Sequence, residues 1–436
     1  MEDVHISSSE HNGLQLHLCS TNKFKTISIM LMIKVPLQED LTTARALIPH
    51  ILNSGTINYP NRKLIKEKLG EMYGATLSAD VQKKGDHQII MFRMEIPADQ
   101  FLSIPHSLLK LSLDLLHEVV YNPLLENGKF NSSIVEQEKR SLKQRLSSMY
   151  DEKILYANVR LIEEMFKGEA YQFPASGREE DIVSLDALSI HQVYKNLLEN
   201  GFFDLFIVGA FNENEVKSMV QDIFSEQHNN NPIKEISSER KVGNPVKVIQ
   251  DRMDVNQGKL LLGYRTFSTI QDEDYEAARV ANAIFGRFPS SKLFINVREK
   301  ESLAYFAHSQ IESNKGLLIV MAGIDFDNYE RTVEIIREQE YAMKKGDFTE
   351  SEVAQGKAML ISLLLEAYDT PLGIMEVSIQ AIDSGLSNNL NDEIKRISRV
   401  SKSDVVRAVN KWNLDTIYFL NREEYINECS NLQKVR

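Results

Sequence analysis

The chain has 436 residues, 42% of them hydrophobic and 26% charged, and a net charge of −12. That length exceeds what one hydrophobic core usually organises, so two domains of roughly 200 residues are expected, and the apolar content excludes a disordered chain. The acidic balance, with no block of Lys and Arg, excludes a nucleic-acid partner, because phosphate binding needs clustered cations.

The N-terminal stretch MEDVHISSSE is acidic where a signal peptide carries positive charge, so no export signal is read. Cys19 and Cys429 are too few for a disulfide framework and fit a reducing compartment, which makes the cytoplasm the expected location. The apolar run ISIMLMIKVPL is interrupted by Lys34 and too short to span a bilayer. It predicts a buried strand and no membrane partner. The following QEDLTTARALIPHIL predicts a helix. A helix carrying His-x-x-Glu-His would hold two imidazoles on one face, with a carboxylate between them to activate water. Here that pattern falls on Ala46, Pro49 and His50. Ala46 offers a methyl group at a ligand position, and Pro49 has no proton to move and removes a backbone donor. By itself the remaining His50 also reads as a lone, partly buried histidine near a helix end.

HEVVY, from His117, has the first half of the same kind of helix but Tyr121 in place of the second histidine, and reads as an ordinary helix end. The stretch from Ser132 to Gly168 is helical in pattern. Ser225 to Pro245, SEQHNNNPIKEISSERKVGNP, is polar and turn-rich and reads as a linker. The order of elements recurs around it. TISIMLMIKV precedes QEDLTTARALIPHIL, and GKLLLGYRT precedes DEDYEAARVANAIF. Each half closes with an amphipathic helix running into a strand at Asp204 or Asp415. Two duplicated halves, residues 1–230 and 240–436, are expected to be α+β domains, each an antiparallel sheet packed with helices. No Cys-x-x-Cys, P-loop or Gly-x-Ser-x-Gly is present.

Taken together, NGLQLHL, ALIPHILNSGT, LGEMYGATLSADVQKKG, VEQEKRSLKQRL and above all SSKLFINVREKESLAYFAHSQ (Ser290 to Gln310) resemble the insulinase-like, or pitrilysin and mitochondrial-processing-peptidase, metallopeptidase family over essentially the whole chain. The resemblance implies that Ala46, Pro49 and His50 stand on the family's zinc helix. It implies a third ligand on a later helix, a glutamate seven residues after another glutamate; Glu138 fits the first, and Arg145 stands at the ligand position. Three of the four residues of the zinc machinery are thus replaced, and no cofactor is expected, since a catalytic zinc needs three protein donors. The family's proteases also use an arginine and a tyrosine seven residues apart to hold the substrate backbone and the oxyanion, and Arg298 and Tyr305 keep that spacing. A guanidinium and a phenol are donors suited to a carbonyl oxygen gaining charge. The other reading of this pair is Arg298 bridged to Glu299 or Glu301 on a surface, with Tyr305 packed on the core.

The resemblance therefore implies a noncatalytic bacterial subunit that completes the site of a zinc-bearing family partner acting on a peptide. A scaffold with no role in proteolysis, and an active peptidase with a different site, remain alternatives.

Overall fold

The computed structural model describes residues 5–102, 106–229, 245–387 and 389–423, so the linker reading lies outside the described residues from 230 to 244. The strands before that segment are β1 (Ser7–His11), β2 (Leu14–Ser20), β3 (Thr26–Pro36), β4 (Thr76–Lys84) and β5 (His87–Pro97), then the small hairpin β6 (Leu125–Glu126) and β7 (Lys129–Phe130), and finally β8 (Phe202–Gly209). After it come β9 (Lys247–Met253), β10 (Gly258–Arg265), β11 (Ala304–Glu312), β12 (Leu317–Ile324) and β13 (Asn413–Arg422).

The strands form two large sheets, one on each side of the segment in sequence. Read from one edge, the first runs β4-β5-β3-β8-β2-β1 and the second β11-β12-β10-β13-β9. Apart from β1 the two orders match strand for strand. Both are antiparallel except at one pair, β2 beside β8 and β9 beside β13, where the last strand of each half runs parallel to an early one, the second strand of the first half and the first strand of the second. A parallel pair requires a crossover, and the helices between those strands supply it. The likeness extends to charge. On β8, Asp204 lies 3.4 Å from Lys34 of β3, and on β13, Asp415 lies 2.9 Å from Arg265 of β10, the corresponding strands. Asp204 is buried and is also held by His17 Nε2 at 3.1 Å.

The run read as a buried strand forms β3, and apart from Ser28 and Lys34 it is apolar from Ile27 to Val35 because both faces of its sheet are covered. Ile29, Leu31 and Ile33 face the helices of the first half. Met30 and Met32 face a core shared with Ile374, Met375 and Ile379 of the Pro371–Ser384 helix, from the second half. A reciprocal exchange occurs on the other sheet. The helical stretch from Ser132 breaks at Glu152 into Ser132–Asp151 and Lys153–Met165. The second piece leaves its own half, and Ala157, Leu161 and Met165 pack against Leu261, Ile319 and Tyr418 of β10, β12 and β13. Gly263 makes that approach possible: a Cβ there would stand 2.7 Å from the Met165 sulfur. Among the described residues no single helix is long and apolar enough to cross a membrane.

Candidate functional site

The Glu39–Leu52 helix runs through Pro49 and packs against the Ser132–Asp151 and Ala187–Asn200 helices and against β4. Ala46 is buried, 1% exposed, and contributes packing only. His50 closes the last turn, and its carbonyl accepts a hydrogen bond from Ser54 Oγ at 2.7 Å. The same oxygen lies 3.1 Å from Glu138 Oε1, so its one proton is shared between the carbonyl and the carboxylate, which ties the helix end to the second helix. Glu138 is fully buried, and the Arg62 guanidinium neutralises it at 2.7 Å. Arg145 follows two turns later on the same face. Its Nη1 donates to Ser141 Oγ at 3.2 Å, and burial lowers its pKa against the pull of Glu138 and Asp80.

The electrostatics are those of a site that repels a metal ion. Burial first, then the charge of Arg145 and, more weakly, of Arg62, pushes the His50 pKa down to about 4, while Asp80 works in the opposite direction. The imidazole is therefore neutral at pH 7, but a cation faces it where a second anionic ligand would be needed. Among the described residues no group of three or more His, Cys, Asp or Glu side chains could hold a metal. With a methyl group, a proline and a guanidinium at three positions, this locus does not fit zinc.

Arg298 sits in the π-helical turn Phe294–Lys300, which packs against β11. It is exposed, and its guanidinium carbon lies 4.7 Å from the Phe294 ring centre. Glu301 lies 3.7 Å from Arg331. No ion pair to Arg298 is found among the described residues. Tyr305 is the second residue of β11, where the register with β12 slips between Ala304 and Phe306. Such a bulge re-aims a side chain, and Tyr305 points outward, 64% exposed, its hydroxyl 3.4 Å from Asp325 Oδ1. It is not a core residue. The two donors therefore face solvent on adjoining elements.

His117 and Tyr121 end the Leu108–Tyr121 helix and hold the chain just before residue 230. His117 Nε2 is 2.7 Å from Glu226, and the Tyr121 hydroxyl is 2.6 Å from His228 Nε2. Sequence reasoning missed Arg62, Ser54 and Asp325. No motif marks them, because each meets its partner through the fold rather than through spacing, Ser54 and Glu138 being 84 residues apart.

The family described as the peptidase M16 inactive domain matches residues 184–360. The chain is 43% identical to the probable inactive metalloprotease YmfF of Bacillus subtilis (strain 168) over 424 residues, 97% of this chain and 99% of that protein. It is 21% identical to the uncharacterized zinc protease YmxG of the same organism over 314 residues, 72% of each. Among solved structures, a conserved protein from Enterococcus faecalis V583 superposes with a TM-score of 0.89 at 29% identity, covering 96% of this chain and 99% of that one.

Proposed function

Because the chain belongs to the insulinase-like M16 peptidase family as a noncatalytic member, we propose that it is the zinc-free subunit of a bacterial, cytoplasmic heterodimer whose zinc-bearing partner is of the same family. The observation that supports this most is the separation of two functions in one chain. The locus at Ala46, Pro49, His50 and Arg145 is closed to metal, while Arg298 and Tyr305 stand exposed as a donor pair. In this reading Arg298 holds the peptide backbone and Tyr305 donates to the carbonyl oxygen as it gains charge, both acting on a peptide whose scissile bond lies at the partner's zinc. The presence in one bacterium of a 43% identical relative described as a probable inactive metalloprotease and of a second described as an uncharacterized zinc protease supports a two-chain arrangement.

The partner alone is then slow but not inactive, since its oxyanion lacks donors. Loss of one such donor typically costs about 10² to 10³ in rate. Peptide cleavage by a zinc-bearing relative, with and without this chain, tests the reading. Wild type should accelerate cleavage, and Arg298→Ala or Tyr305→Phe should bind the partner yet restore little activity. If both variants activate as well as wild type does, the pair has no part in proteolysis and the chain is a scaffold.

A further inference from the structure

The two halves are fastened in ways that a hinged clamshell would not be. Each sheet is covered on one face by a helix from the opposite half, Lys153–Met165 on the second and Pro371–Ser384 on the first. Each of these helices is also tied closely to its own half. Glu152 alone joins Lys153–Met165 to the Ser132–Asp151 helix, and only Tyr368 to Thr370 separate Pro371–Ser384 from Glu350–Ala367. Swinging the halves apart would therefore strip an apolar helix from one sheet or pull apart a joint of one to three residues. The apolar side chains that would be exposed are Leu161 and Met165, with Ala157, on the first helix and Ile374, Met375 and Ile379 on the second, all 3% exposed or less.

The hairpin tips carry a second fastening. The turn between β4 and β5 meets the turn between β11 and β12, where a Cβ on Gly85 would lie 3.2 Å from Asn314 Cβ. Lys315 Nζ reaches both carboxylate oxygens of Asp86 at 2.8 and 2.9 Å, with the two side chains 4% and 10% exposed. Glu169 lies 3.3 Å from Lys315 and 3.0 Å from Arg265, which joins the tip to the exchanged helix's end. On the other sheet, Lys34 bonds Asp383 of the Pro371–Ser384 helix at 3.0 Å. With the halves held in this way, Arg298 and Tyr305 are already open to solvent.

We propose that the exchanged helices and the Asp86–Lys315 tip contact make this chain a single closed body that does not open in its working cycle, so that a peptide reaches Tyr305 from the outer surface, at the junction with a partner. The access route rests on the function proposed above; the closure itself does not. Small-angle scattering of the wild-type chain tests closure directly, and its curve should match the arrangement of the described residues, with no more extended population. A Gly85→Cys/Asn314→Cys variant in a Cys429→Ser background tests it a second way. Gly85 takes a left-handed φ of +50°, and its Cβ position, 3.2 Å from that of Asn314, is slightly closer than a disulfide's, so the bond needs a small adjustment of the turn; the remaining Cys19 is buried, with its thiol pushed up to about 11. Oxidised and reduced forms should scatter alike and should activate the zinc-bearing partner within about twofold of each other. A larger radius for the wild-type or reduced chain than for the cross-linked one overturns the proposal. So does activation that is present when reduced and lost on oxidation. If neither form nor the wild type activates the partner, the proposed function fails, while the scattering still decides closure.

Discussion

Leu161→Ala is the sharpest test of the exchanged packing. Leu161 lies before the linker in sequence but is fully buried against the sheet that follows it. Leu→Ala in a core costs about 2–5 kcal/mol, and the cost rises with the volume that fails to collapse. Collapse is poor here. The facing position is Gly263, which has no side chain to swing into the hole; a Cβ there would stand 3.4 Å from Leu161 Cδ1. Its strand, β10, is hydrogen-bonded on both sides, to β12 and β13, so the backbone cannot move in. The upper half of the range, about 3.5–5 kcal/mol, is expected. The chain's single tryptophan, Trp412, is a convenient probe, because it is 2% exposed and packs on Phe285 in the second half. Urea unfolding followed by Trp412 fluorescence should shift to lower denaturant by the full amount. A shift worth less than about 1 kcal/mol, beside a large loss in helical signal, would mean that the helix does not support the second sheet, and the exchange argument fails.

Further expectations concern the former metal locus. Arg62→Ala leaves Glu138 Oε1 with only Ser54, and Glu138 Oε2 already has no hydrogen-bond partner among the described residues. Breaking a buried pair costs about 3–5 kcal/mol, and the half-exposed Arg62 head admits water, so about 2–3 kcal/mol is expected in urea melts. Glu138→Gln in that background should recover much of it, and an unmoved midpoint would refute the account. His50, lowered to about 4 from an ordinary 6.5, is protonated more readily when unfolded, so stability present above pH 6.5 is lost as pH falls from 6.5 towards 4. His50→Gln should flatten that part of the stability profile, and a ring titrating near 6.5 by NMR would contradict it. Elemental analysis after dialysis should find no stoichiometric zinc on the isolated chain; about one per chain, lost on His50→Ala, would reverse the reading of the locus.

Much of the fold was legible because period and punctuation are local properties. The continuous apolar run of β3, the helix from Glu39 and the closing helix-strand units at Asp204 and Asp415 all follow from residue order. The strands begin at Phe202 and Asn413, two residues before those aspartates, because each aspartate lies within its ladder and pairs across it. The helix exchange was not legible. Lys153–Met165 has an ordinary amphipathic pattern, and nothing in a pattern says whose sheet the apolar face will cover. At the site, spacing indicated Arg298 and Tyr305, but their exposure depends on a π-turn and a bulge, backbone irregularities without a sequence signature.

The inactivity of the locus is also a stronger statement than the loss of a motif. Restoring a histidine at Ala46 alone would not make a zinc site. Glu138 is held by Arg62 and Ser54, and burial, reinforced by the Arg145 charge, keeps His50 neutral. A divalent ion entering there would meet one imidazole and two guanidinium groups, with its nearest buried carboxylate already neutralised. The arrangement is internally satisfied without metal, apart from one oxygen of Glu138, and the Glu39–Leu52 helix serves as packing between β4 and its neighbouring helices. In the function proposed above, the zinc is therefore the partner's, and this chain's contribution to it is the exposed pair Arg298 and Tyr305.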